Sequence, residues 1–146
     1  MKTLEEALSL PWKVPVPSTS FVSGPNFEQR PRRVCVLSWE YEGNSEFAKA
    51  PREGTIHQDL IFSGVAAFKC TYGLLCGADT INRAYDALVD LGETEWLRAL
   101  RARVEGPQKQ KGEISLHHLA IFFDDGPCYE FICEAVQTST KVTADN

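Results

Sequence analysis

Three histidines and five cysteines are the residues of this 146-residue chain best suited to covalent or metal chemistry. They are His57, His117 and His118, with Cys35, Cys70, Cys76, Cys128 and Cys133. A zinc site needs three or four ligands converging tetrahedrally, commonly with a local pair such as Cys-x2-Cys. Here Cys70 and Cys76 stand six apart and Cys128 and Cys133 five apart. Adjacent strand residues point to opposite faces, so His117 and His118 cannot both serve one site. No metal or other cofactor is therefore expected. Cys76 is the candidate nucleophile, because it precedes a helix expected to begin near Thr80 and lies between Gly73 and Gly77. A helix N-terminus can activate a thiol and stabilise an oxyanion. A buried structural thiol explains Cys76 equally well, and no catalytic residue is assigned.

The carboxylates offer two pairs. Asp124 and Asp125 have the chemistry of an acid and a base, yet Asp-Asp-Gly-Pro at 124–127 is already explained as a turn. Glu130 and Glu134 lie four apart and read as the solvated face of one strand. Arg30, Arg32 and Arg33 form one basic cluster, and Arg98, Arg101, Arg103, Lys109 and Lys111 another. Phosphate binding uses such clusters, but the acidic total and the lack of a stacking platform make solvated faces the better reading. No nucleic-acid partner is expected. Trp39, Glu40, Tyr41, Glu42 and Glu46 are the candidate partner-binding residues, since aromatics among acids suit an interface. The competing reading places Trp39 and Tyr41 in the core.

The elements that must position these groups are read from periodicity and turn chemistry. Thr3 and Glu6 fit a capping box, and Leu4, Ala7 and Leu8 form an apolar stripe, which predicts a short helix closed by Pro11. Residues 11–33 carry five prolines and predict an extended arm anchored by Trp12, Phe21 and Phe27, with a disordered linker as the alternative. Residues 34–42 and 55–63 alternate as strands, the first placing Cys35, Leu37, Trp39 and Tyr41 on one face. Gly64 marks either a kink in one long strand reaching residue 72, the preferred reading, or a turn between two. Helices are predicted over 80–90, capped by Asp79 or Thr80 and stopped by Gly92, and over 93–104. Residues 105–112 read as a flexible loop. Residues 114–123 and 128–136 form the clearest element, a β-hairpin, followed by a polar, frayed tail over 137–146.

The whole is one α+β domain, an antiparallel β-sheet packed against two or three helices: helix and arm over 1–33, core over 34–136, then the tail. At 43% apolar and 24% charged residues the chain has the composition of an ordinary globular domain. Its net charge of −5 disfavours nonspecific adhesion to nucleic acid or anionic lipid. No apolar run approaches the roughly 20 residues that span a bilayer, so no membrane partner is expected. Acidic residues at 5 and 6 stand where a secretory leader would be basic and then apolar. An odd number of irregularly spaced cysteines also argues against a secreted disulfide framework. A cytoplasmic location is the expectation.

Phe62-Ser63-Gly64-Val65-Ala66-Ala67-Phe68, Trp96-Leu97, and His118-Leu119 running to Asp124-Asp125 and Tyr129-Glu130 carry a resemblance. Across residues 55–136 the chain is similar to small uncharacterised bacterial proteins, some of which resemble immunity proteins that neutralise a toxin. Together with the net charge of −5 and the absence of a catalytic motif, the resemblance points to a non-enzymatic protein that binds a basic protein partner, with self-association through a sheet edge as a further reading; the resemblance supplies no active-site residues. The alternative is a small enzyme or ligand-binding domain using Cys76 or a pocket lined by His57, His117 or His118.

Overall fold

A computed structural model describes residues 3–48, 51–108, 115–124 and 126–143. Its strands are β1 (Thr3–Ala7), β2 (Trp12–Lys13), β3 (Ser23–Arg30), β4 (Val34–Glu42), β5 (Thr55–Ser63) and β6 (Ala67–Tyr72). Helix α1 (Ala78–Ala84), strand β7 (Ala87–Asp90) and helix α2 (Glu95–Gln108) follow. Strands β8 (His117–Phe122), β9 (Pro127–Cys133) and β10 (Ala135–Thr143) close the chain. The ladders form two antiparallel sheets, ordered β1-β10-β5-β4-β3 and β2-β7-β8-β9-β6. The protein is thus mostly antiparallel sheet with two helices.

The inner faces of the two sheets share one core. Leu37, Trp39, Ile56, Leu60 and Phe62 from one meet Leu88, Leu119, Ile121, Tyr129 and Phe131 from the other. Phe62 and Phe131 stack across the interface with ring centroids 3.9 Å apart. The period-two pattern that predicts β4 and β5 arises here, since alternate residues enter the core while the others leave it. The turn side of the sandwich is closed by Trp39, which lies between Phe21 and Phe123 at 5.2 and 5.5 Å.

Gly64 settles the question of the bend in favour of two strands. β5 belongs to the first sheet and β6 to the second, and the chain changes sheet between them. Glu134, between β9 and β10, makes the reverse crossing beside it, donating its N–H to Ser63 O at 3.0 Å. Arg33 ties the corner by donating to the Gly64 and Val65 carbonyls at 3.0 and 3.1 Å. At φ +63° Gly64 sits where a side chain is strained, and a Cβ there would lie 2.1 Å from Glu134 Oε2.

Several expected elements differ. Residues 3–7 form β1, not a helix, pairing with β10 through Thr3↔Lys141 to Ala7↔Gln137. A capped helix this short is marginal alone, whereas β10 offers a full row of backbone partners. That same strand is the expected frayed tail: Ala135–Thr143 lies between β1 and β5, with Thr138 and Ser139 buried. Trp12, Phe21 and Phe27 do pack on the core, but the arm they anchor contains β3, which pairs with β4 through a register shift that accommodates Pro25. The predicted helix over 80–90 stops at Ala84, with Gly77 rather than Asp79 or Thr80 at its N-cap. Ala87-Leu88-Val89 then forms a strand buried on both faces; such an apolar run has no period that separates strand from helix. The helix predicted over 93–104 spans Glu95–Gln108, so residues 105–108 of the expected loop are helical, and residues 109–112 lie outside the described residues.

Candidate functional site

The face of the second sheet turned away from the sandwich gathers the chemistry. On β9, Tyr129, Phe131 and Cys133 enter the core shared by the sheets. Cys128, Glu130 and Ile132 take the opposite face by the period of two, and yet all seven β9 residues are buried. Cys128 joins a cluster with Cys76, Ala84, Ala87, Val89, Ala120 and Phe122. Ile132 joins Leu97 and Leu116, with Trp96 and Leu100 packed alongside. Glu130, expected on a wet face, therefore stands between two apolar clusters with 6% of its surface exposed.

A carboxylate so placed must be paired. Cross-strand register brings His118 diagonally opposite, since His118 pairs with Ile132 and Ala120 with Glu130. His118 Nε2 lies 2.9 Å from Glu130 Oε1, and both residues are buried. The other ring nitrogen, Nδ1, lies 2.7 Å from Thr94 Oγ1, which itself accepts the Leu97 N–H at the start of α2 at 3.2 Å. In the neutral Nε2–H tautomer these three hydrogen bonds run in one direction: Leu97 N–H to Thr94, Thr94 O–H to His118, His118 N–H to Glu130. Trp96 meets the His118 ring edge to face at 5.2 Å. Lys69, directly opposite Glu130 on β6, places Nζ 3.7 Å from Oε2 and 4.7 Å from the Trp96 ring centre. Burial acts to raise the Glu130 pKa, but the His118 hydrogen bond and the Lys69 charge outweigh it and hold the carboxyl below its ordinary range.

Beside this network lie two thiols. Cys76 Sγ, Cys128 Sγ and a Glu130 oxygen all lie within 4.8 Å of one another. Burial first, then the neighbouring Cys76 and Glu130, push the Cys128 thiol well above its ordinary value. Cys76 is held by a 3₁₀ turn (Gly73–Leu75), its N–H donating to Gly73 O at 3.1 Å.

The residues expected to bind a partner are not brought to one surface. Trp39 and Tyr41 are core residues, 0% and 7% exposed, because β4 turns them toward the second sheet. Glu40 points the other way, 3.5 Å from His57 Nδ1, and Glu42 and Glu46 are exposed. His57 also meets Asp59 at 2.9 Å, and His117 meets Asp90 at 3.2 Å. His117 and His118 do face apart. Asp124 donates its backbone N–H to Ser18 Oγ at 2.8 Å, and Asp125 lies outside the described residues. No protein-family model matches the chain, and neither does any curated protein or solved structure.

What sequence reasoning missed is the partnership of His118 with Glu130 and the exposed aromatics away from β4. Phe47 and Tyr85 are 52% and 50% exposed. Both line one cleft of about 310 Å³ with Pro15, Pro17 and Asp86. A glutamate twelve residues from a histidine across a predicted turn was the available signal for the first. Nothing in the sequence pairs residue 47 with residue 85.

Proposed function

We propose that this chain is a non-enzymatic, immunity-like binding protein of the bacterial cytoplasm that holds a basic protein partner. The observation that carries this reading is the cleft with Phe47 and Tyr85 half exposed on its rim. Rigid aromatics at a cleft are the residues that anchor interfaces. Exposed Glu46 adjoins Phe47, and exposed Glu42 precedes the same loop. With a chain charge of −5, these carboxylates favour fast encounter with a cationic surface. The same reading takes α1 and α2 as a layer packed on the second sheet, shielding the His118–Glu130 face from the partner. Among the described residues no helix is long and apolar enough to cross a membrane.

Co-purification from the native host with the product of the neighbouring gene tests the proposal. The wild type retains that product at physiological salt, and Phe47→Asp loses it while keeping the wild-type circular dichroism. A wild type recovered alone, as a monomer by light scattering, overturns the reading; recovery as a homodimer replaces the partner with a second copy. The alternative, a small enzyme or ligand-binding domain using Cys76 or a histidine-lined pocket, is favoured by the approach of Cys76 to Glu130. It requires a Cys76 that alkylates faster in the native chain than in the denatured one.

A further inference from the structure

We propose that Cys76 Sγ, Cys128 Sγ and a carboxylate oxygen of Glu130 form a binding site for one thiophilic divalent cation of the zinc type. The site shares no residue with the Phe47 cleft, and the inference does not rest on the partner-binding reading.

Geometry comes first. The three ligand atoms lie within 4.8 Å of one another; a tetrahedral ion with bonds of about 2.0–2.3 Å holds its ligands about 3.3–3.8 Å apart, so a small inward rotation of the side chains closes them on one ion. Two ligands, Cys128 and Glu130, come from alternate positions of β9, a strand paired on both sides by β6 and β8. The third comes from the short segment between the 3₁₀ turn and α1, fixed by the Cys76 N–H bond to Gly73 O and the Ile81 N–H bond to Gly77 O. Ligands on paired strands and a pinned turn are held in place before the ion arrives. All three are buried, with Cys128 fully so.

Charge points the same way. Without a cation, this pocket places a carboxylate against two polarisable sulfurs, an excess of electron-pair donors in a dry place. Binding displaces both thiol protons to solvent and leaves two thiolates and a carboxylate around a doubly charged ion. The one negative charge left over faces the Lys69 ammonium, 3.7 Å from Glu130 Oε2. The assembly is then neutral, the condition that makes a buried charged group tolerable. Thiolate with carboxylate suits zinc, a borderline-soft ion, and excludes calcium and magnesium, which want an all-oxygen shell.

The surroundings supply the orientation that metal ligands need. His118 holds Glu130 Oε1 at 2.9 Å, and Thr94 holds His118 at 2.7 Å. His118 is thus a positioning residue, of the kind whose loss costs about 10–100-fold in metal affinity. Among the described residues no further cysteine, histidine or carboxylate belongs to the group, so the fourth coordination position falls to water or an added ligand.

The test uses the full chain, reduced and stripped with chelator, titrated with cobalt(II) as a spectroscopic stand-in. One equivalent produces a near-ultraviolet thiolate-to-cobalt absorption that zinc abolishes. Cys76→Ser removes the band, and so does Cys128→Ser. Cys70→Ser, which alters the one exposed cysteine among the five, retains it. His118→Asn retains the band and weakens binding about 10–100-fold. Absence of the band in the wild type overturns the proposal without recourse to any variant. So does a band that survives Cys76→Ser, or one lost in Cys70→Ser.

Discussion

Removing His118 should cost this domain a large part of its stability, and removing its partner as well should return much of that loss. His118→Leu leaves Glu130 buried, with Lys69 3.7 Å away as its remaining charged neighbour, and deprives the Thr94 hydroxyl of its partner. Breaking one side of a buried pair costs about 3–5 kcal/mol. Lys69 is half exposed and still reaches Oε2, so we expect the lower end, about 3 kcal/mol. Glu130→Met strands the His118 N–H, at about 1–3 kcal/mol. In the double variant both sites are apolar, and Lys69 turns to solvent. The coupling energy from the double-mutant cycle should then reach about 2 kcal/mol. A domain with about 5–15 kcal/mol of total stability remains folded throughout. Urea titrations in the presence of chelator, followed by far-UV circular dichroism, measure all four corners. The sign with pH follows from the depressed Glu130 pKa. The ionised carboxylate stabilises the fold fully above its unfolded pKa, and that contribution disappears as pH falls through the lower folded value. The gap between wild type and Glu130→Met is therefore full at neutral pH and narrows on acidification. Single variants that each cost under about 1 kcal/mol and add without coupling would refute a buried, hydrogen-bonded His118–Glu130 pair.

Two further outcomes test other parts of the molecule. Gly64→Ala should cost about 1–3 kcal/mol, because it places a side chain at φ +63° and drives Glu134 away from Arg33, now 3.6 Å distant. Combining it with Glu134→Ala should recover the steric share but not the backbone share, and thermal melts of the three variants separate the two. Alkylation of the native chain should label Cys70 first, since it is exposed while Cys35, Cys128 and Cys133 are buried out of reach of the reagent. Mass spectrometry of the quenched protein reads the order, and native labelling of Cys133 ahead of Cys70 would show that the sandwich opens.

The sequence spells out elements whose two faces differ. β4 and β5 occupy the expected residues because one face enters the core and the other leaves it, which the alternation records directly. The hairpin of β8 and β9 is legible from its turn residues and from the alternation of Tyr129, Phe131 and Cys133 with Glu130, although both faces of β9 are covered. Where both faces are covered, the same code fails. Val89 and Leu88 carry no period that distinguishes strand from helix, and Glu130 alternates with Phe131 just as a solvated residue would. A carboxylate facing water and one facing a buried histidine leave identical traces along a strand. Only the register across the hairpin, which sets His118 diagonal to Glu130, tells them apart, and that could be read once the turn was placed. The remaining members of the network are another matter. Thr94, Lys69 and Cys76 arrive from a helix start, an edge strand and a 3₁₀ turn. Their meeting depends on how distant segments dock, which no local pattern encodes. The hairpin is thus more than scaffold. One of its faces builds the sandwich core, and the other assembles the only cluster of potential metal ligands among the described residues.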